Sequence, residues 1–271
     1  MPYAGLWQSR RKKLNFLTKK RGMILIFLVP VLLYIGYELF LSRKLSPPAD
    51  SERITVSFRV PEGVTLLPLG GLYESSECTN TRFTAGGNTY QANATTGVSL
   101  PFVSQGAGNL MSVSIEKDGG GRCRWKLSRI HVHFRLSDNA PLSKGKNVFD
   151  TSYLFDFRDW GIVNTYGTGT AKNVSGNLNV TTDFFPMATY HKDNSISLRL
   201  FGGDANPYKW SRHFRLHDTR SILIDPVIHF SKLVTLIPPD KSGNFTAEYP
   251  DGSSEQIPHI YPDYEKLLSM K

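Results

Sequence analysis

Cysteine is scarce: Cys78 and Cys123 are the only two in 271 residues. A cysteine-based metal centre would need histidine or cysteine partners at ligand spacing, and "SSECTNTR" around Cys78 offers none. Recognisable catalytic motifs are missing as well. There is no G-x-S-x-G elbow, no Walker loop, no Rossmann fingerprint and no D-x-D. "GTGTAKN" is rich in glycine but lacks the strand-to-helix context of a phosphate loop. No acidic residue precedes the apolar run that starts at Met23.

What stands there instead is basic. Residues 1–22 form a tail carrying Arg10, Arg11, Lys12, Lys13, Lys19, Lys20 and Arg21. Residues 23–41, "MILIFLVPVLLYIGYELFL", are 19 apolar-rich positions, long enough as a helix to cover roughly 28 Å, close to the hydrocarbon thickness of a bilayer. Glu38, Tyr34 and Tyr37 suit the interfacial end of such a helix. The exit, "YELFLSRKLSPPADS", lacks the small residues of a signal-peptidase site, and no lipobox cysteine follows. The expectation is an uncleaved single-pass membrane helix. Seven cations before it, against Arg43 and Lys44 after it, keep the N-terminus cytoplasmic and place everything from Ser42 onward on the exported side.

This placement reinterprets the net charge of +9. The tail holds 7 of the 32 Lys and Arg, leaving 25, and Glu38 in the span leaves 22 of the 23 acids. The exported part therefore carries only +3. Most of the excess is a topology signal, and no nucleic-acid partner is implied.

Residues 42–51 form a linker with the stiff spacer "SPPAD". Beyond it, alternation of period two dominates. Ile54, Val56, Phe58 and Val60 share one face, and "LMSVSIE", "SISLRL", "SILID", "VIHF" and "LVTLI" are similar short runs between breaker clusters. No later stretch sustains a helical period over a dozen residues, although "DYEKLLSMK" allows a short C-terminal helix. These patterns predict a mainly β fold, an antiparallel β-sandwich. The breaker-rich "DNAPLSKGKN" divides it into 52–140 and 141–271, as two small sandwiches or one continuous large one.

The stretch "DGGGRCRWKLSRIHVHF", residues 118–134, carries the most local information. In an oxidising compartment its cysteine is expected to pair with Cys78. Asp118 to Gly121 read as a turn, with glycine supplying positive φ. Cys123, Trp125 and Leu127 share one face, whereas Ile130, Val132, Phe134 and Leu136 have the opposite parity. A β-bulge at Ser128–Arg129 would return both sets to the core. His131 and His133 then lie with Arg129 and Arg135 on the polar face, where cationic neighbours oppose metal binding.

"LLPLGGLYESSEC" followed by this stretch resembles a pattern in bacterial type VI secretion gene clusters. There, small membrane-anchored exported proteins are encoded beside toxic effectors and serve as their immunity proteins. The resemblance covers residues 54–136 and rests on scaffold features. It implies a non-enzymatic protein of a bacterial inner membrane, its exported part in the periplasm, whose partner is a cognate effector neutralised by occlusion, and it carries over no catalytic residue. With no ligand cluster or phosphate loop in the sequence, no cofactor or metal is expected. Two alternatives are a structural component of an envelope complex and a membrane-tethered enzyme.

Other constellations are weaker. His213 and His217 have zincin spacing but lack the intervening Glu and are crowded by Arg212 and Arg215. Asp156 and Asp159 are spaced to opposite faces of a strand. Four N-x-S/T sequons, at Asn93, Asn173, Asn179 and Asn244, discriminate little. Aromatics at turn-like positions, Phe184, Phe185, Tyr208 and Trp210, are the candidate partner contacts, since aromatics anchor protein interfaces.

Overall fold

The computed structural model describes residues 28–38, 40, 44–106, 108–157, 171–203, 205–206, 209–210, 212–239, 241 and 243–271, with the side chains of 205–206 and 209–210 excepted. Residues 28–38 form helix α1, whose apolar side chains stand exposed. Among the described residues no helix is long and apolar enough to cross a membrane. Positions 23–27, 39 and 41 of the apolar run lie outside them.

Strands dominate the rest. The first eight are β1 (Arg53–Arg59), β2 (Val64–Leu66), β3 (Leu69–Phe83), β4 (Thr89–Leu100), β5 (Val103–Ser104), β6 (Leu110–Glu116), β7 (Asp118–Gly120) and β8 (Trp125–Leu136). A single 3-10 turn at Pro141–Ser143 leads to β9 (Asn147–Val148) and β10 (Thr151–Asp156). Then come β11 (Lys172–Ser175), β12 (Leu178–Tyr190), β13 (Ile196–Gly202), β14 (Ala205–Asn206) and β15 (Lys209–Trp210). The last are β16 (His213–His217), β17 (Ser221–Ile228), β18 (Val234–Ile237), β19 (Phe245–Glu248) and β20 (Ser254–Ile257), before helix α2 (Tyr264–Leu268).

Two sheets result. The larger runs β20-β19-β18-β12-β17-β1-β6-β5, with β13 on β12 and β9 on β13. The smaller runs β11-β16-β10-β8-β3-β4, with β2 and β7 on β8. Alternation sets which residues face inward: Ile54, Val56 and Phe58 of β1 are fully buried. Phe58 meets Phe134 of the opposite sheet at 5.2 Å between ring centroids, and Phe134 meets Phe184 edge-on at 5.2 Å. Each such ring removed from water contributes about 1.5–3 kcal/mol.

The expected antiparallel pairing needs correction. The spine β1–β17–β12–β18 of the larger sheet is parallel throughout, and β10–β16, β11–β16 and β9–β13 are parallel too. The sheets are mixed because the chain repeatedly crosses between layers instead of returning through hairpins. Residues on either side of 138–147 share both sheets: β1 pairs with β17, and β8 with β10. One core cluster extends from Ile54 to Ile224.

A second, smaller core lies on the other side of the larger sheet. Phe185, Met187, Phe201, Val234, Leu236 and Leu267 belong to it. Helix α2 covers this face, capped by Asp263, whose carboxylate accepts from the Lys266 N–H.

Candidate binding surface

The local fold of 118–136 follows its sequence closely. Leu72 pairs with Arg129 but Tyr73 with Leu127, so Ser128 is the extra residue of a β-bulge. Trp125, Leu127, Ile130, Val132, Phe134 and Leu136 are all buried. Cys78 and Cys123 form a disulfide with their Cα atoms 5.4 Å apart. Ser75 organises that junction: its hydroxyl donates to the Cys123 carbonyl at 2.5 Å and accepts from the N–H groups of Glu77 and Cys78.

The aromatic candidates fare differently. Phe184 and Phe185 are fully buried, one between the sheets and one beneath α2, so neither is an exposed contact group. The reason is that β12 is covered on both faces. Tyr208 lies outside the described residues, and Trp210 is described only by its backbone in β15, paired with Ala205.

The outer face of the smaller sheet gathers the polar chemistry. Arg129, His131, His133 and Arg135 project there from β8, and the two imidazoles stack at 5.7 Å. Asp156 on β10 is buried at the centre. It accepts from Arg129 Nε at 2.5 Å and Arg129 Nη2 at 3.3 Å. It also pairs with His213 Nε2 at 2.6 Å. Burial alone would raise the Asp156 pKa, but the bonds from His213 and Arg129 outweigh it and hold the carboxyl below the usual range. His131 is pushed down to about 4, first by burial and then by the neighbouring charges of Arg129 and His133. Glu74, nearby and buried, accepts from the Asn93 amide at 2.9 Å.

Chemically, this face presents guanidinium and imidazole groups whose charges are largely met: Arg129 pairs with Asp156, Arg135 pairs with Asp138 at 3.1 Å, and His131 is neutral at neutral pH. Asp156 is too well satisfied to serve as a strong base. His213 and His217 sit on strand β16, not on a zincin helix, and Asp159 lies outside the described residues. Among the described residues no group of three or more His, Cys, Asp or Glu is arranged to hold a metal ion.

The end of the sandwich where the chain enters has its own construction. The linker is bound along the glycine turn: Ser46 N–H donates to Gly119 O at 2.8 Å, and Ser46 bridges Gly120. Gly120 has φ +53°, and a Cβ there would lie 2.2 Å from the Ser46 carbonyl oxygen. A Cβ on Gly119 would lie 2.7 Å from the Tyr73 ring. The turn expected over Asp118 to Gly121 needs correction: Asp118–Gly120 form strand β7 on β8, the turn lies at residues 121–124, and the glycines clamp the linker. The available signal was three consecutive glycines where a turn requires one or two. Arg122, next to Cys123, forms an ion pair with Glu38 at the end of α1.

From the same end the β3–β4 hairpin continues past the sheet as a two-stranded ribbon. β3 pairs with β8 only as far as Glu74, whereas its pairing with β4 resumes at Thr79 and runs to Phe83. Phe83 and Tyr90 are exposed at its tip. The opposite end of the sandwich holds an apolar cavity of about 340 Å³, lined by Val60, Leu66, Pro101, Phe102 and Met111 among others.

No protein-family model matches this chain, and no curated protein or solved structure is found similar to it.

Proposed function

We propose that this protein is a membrane-anchored periplasmic binding protein, an immunity protein that neutralises a secreted toxic effector by covering its active site. The apolar run at 23–41 is the anchor, the basic tail remains in the cytoplasm, and the sandwich faces the compartment where the toxin arrives. The observation that carries the reading is the disulfide. The chain's only two cysteines are joined inside the segment 54–136 that carries the resemblance, as an oxidising compartment allows. The clamped linker and cross-linked sandwich also keep the ordering cost of association low. With Phe184 and Phe185 committed to the core, the outer face bearing His131, His133 and Arg135 is the contact surface. It offers imidazole and guanidinium hydrogen-bond donors to an acceptor-rich rim around an effector's cleft.

The test is protection in cells. Full-length protein should protect against the exported effector encoded beside it, and a form lacking residues 1–41 should remain cytoplasmic and fail. Reversing Arg135 and replacing His131 and His133 with Glu should abolish protection while leaving the protein folded and membrane-bound. Protection by the cytoplasmic form, or undiminished protection by the charge-reversed form, would overturn this reading.

A further inference from the structure

The β3–β4 ribbon is unexplained by a sandwich that binds through its outer face. Its root lies at the end where the chain enters. The Cys78–Cys123 disulfide fixes that root beside Arg122, and Arg122 pairs with Glu38 of α1. Beyond the root, five residue pairs run from Thr79↔Asn93 to Phe83↔Thr89. At 3.3 Å per residue this is about 16 Å of ribbon, enough to cross the headgroup region of a bilayer.

The ribbon's chemistry is unusual for a solvated hairpin. Between Cys78 and Asn93 the only charged residue is Arg82, and the connecting turn Thr84–Asn88, "TAGGN", carries no charge. Tyr90 pairs with Arg82 and shares its face, whereas Phe83, the next residue, is on the other. Phe83 is 74% exposed and Tyr90 49%. A ribbon that docks flat on a protein would gather its aromatics on one face. Aromatics on both faces beside an uncharged turn, with one arginine among them, suit tip-first entry into a lipid interface.

We propose that this ribbon is a second membrane contact. Its tip inserts Phe83 and Tyr90 into the phospholipid interface, and Arg82 meets the phosphates. The inference rests on the anchor at 23–41. With α1 it makes a two-point attachment, which fixes the tilt of the sandwich over the bilayer and holds the outer sheet face upright, clear of the lipid.

The experiment uses the full chain reconstituted in phosphatidylethanolamine–phosphatidylglycerol vesicles, with and without nitroxide-labelled lipid. An environment-sensitive fluorophore is attached at Ala85→Cys in the ribbon turn, at Leu33→Cys in α1, or at Val103→Cys at the far end of the sandwich. The native cysteines are disulfide-bonded and do not compete for label. Quenching at Ala85 is expected to exceed that at Val103 by about twofold or more, as depth within the interface requires. The double substitution Phe83→Ser with Tyr90→Ser, carried in the Ala85→Cys background, should bring it down to the Val103 level. If Leu33 is quenched and Ala85 is not, the ribbon proposal fails and the anchor stands. If neither is quenched, the anchor reading fails and the ribbon proposal with it. An Ala85 probe that responds to the effector and not to lipid makes the ribbon a protein contact and also overturns the proposal.

Discussion

Phe184 and Phe185 are consecutive on β12 and fill different cores. Phe184 packs against Phe134 and Tyr153 between the sheets, whereas Phe185 stacks on His229 at 4.9 Å and meets Tyr264 of α2 edge-on. Truncating either to Ala should cost about 3–5 kcal/mol, the usual range for a buried phenylalanine. The two losses should appear in different places. Amide hydrogen exchange is expected to accelerate in β8 and β10 for Phe184→Ala, and in α2 and β18 for Phe185→Ala.

These two residues also show where sequence reading stopped. Alternation identified the buried face of β1, and the parity slip at Ser128 located the bulge in β8, because each strand has one polar face to contrast with the core. In β12 the run Phe184, Phe185, Pro186, Met187 and Ala188 is buried throughout. A strand covered on both faces loses its alternation, so its aromatics resembled loose turn residues. Strand direction was hidden for a related reason: the side-chain period is two in parallel and antiparallel pairs alike. The glycine clamp was only partly legible: the glycines signalled a change of direction, but the turn falls at residues 121–124, after strand β7, and nothing in the sequence pointed to the linker carbonyl of Ser46.

Cys78 and Cys123 enclose a separation of 45 residues. In the chain-entropy model such a loop contributes about 3–4 kcal/mol. Both thiols should resist alkylation in native protein until a reductant is added. Cys78→Ala is expected to lower the unfolding free energy by about that amount in urea titration. Smaller losses would indicate residual structure in the unfolded chain.

Acid should weaken the fold in two stages. His131 takes up a proton near pH 4 when folded and near 6.5 when unfolded, so the unfolded chain binds more protons between those values. Its contribution is fully present above about pH 6.5 and lost as pH falls through 4, with a slope of at most about 1.4 kcal/mol per pH unit. Asp156 has a lowered pKa, so its contribution is present above the unfolded carboxylate value and lost at still lower pH. Chemical denaturation from pH 8 down to about pH 2 should show both phases, and His131→Gln should flatten the upper one.

Gly120→Ala tests the linker clamp. Its Cβ meets main chain, not a movable side-chain end, so the 44–48 segment must lift away. Trypsin should then cut after Lys44 faster than in the wild type. The sandwich itself should lose less stability than it does with Phe184→Ala, because the lifted segment contributes only the partly buried Leu45 to the edge of the main core.

The parallel pairing of β1 with β17 also bears on how the chain reaches its native state. Thr55 finds its neighbour Ser221 only when nearly the whole polypeptide has been made. Contacts this distant in sequence place folding on the order of milliseconds to seconds, and local hairpins cannot shortcut the step. Until β17 arrives, β1 and β12 both present open backbone edges, the kind of template on which unfinished chains aggregate. A chain ending before Ser221 keeps those edges for its lifetime, so the larger sheet forms only in chains that are nearly complete.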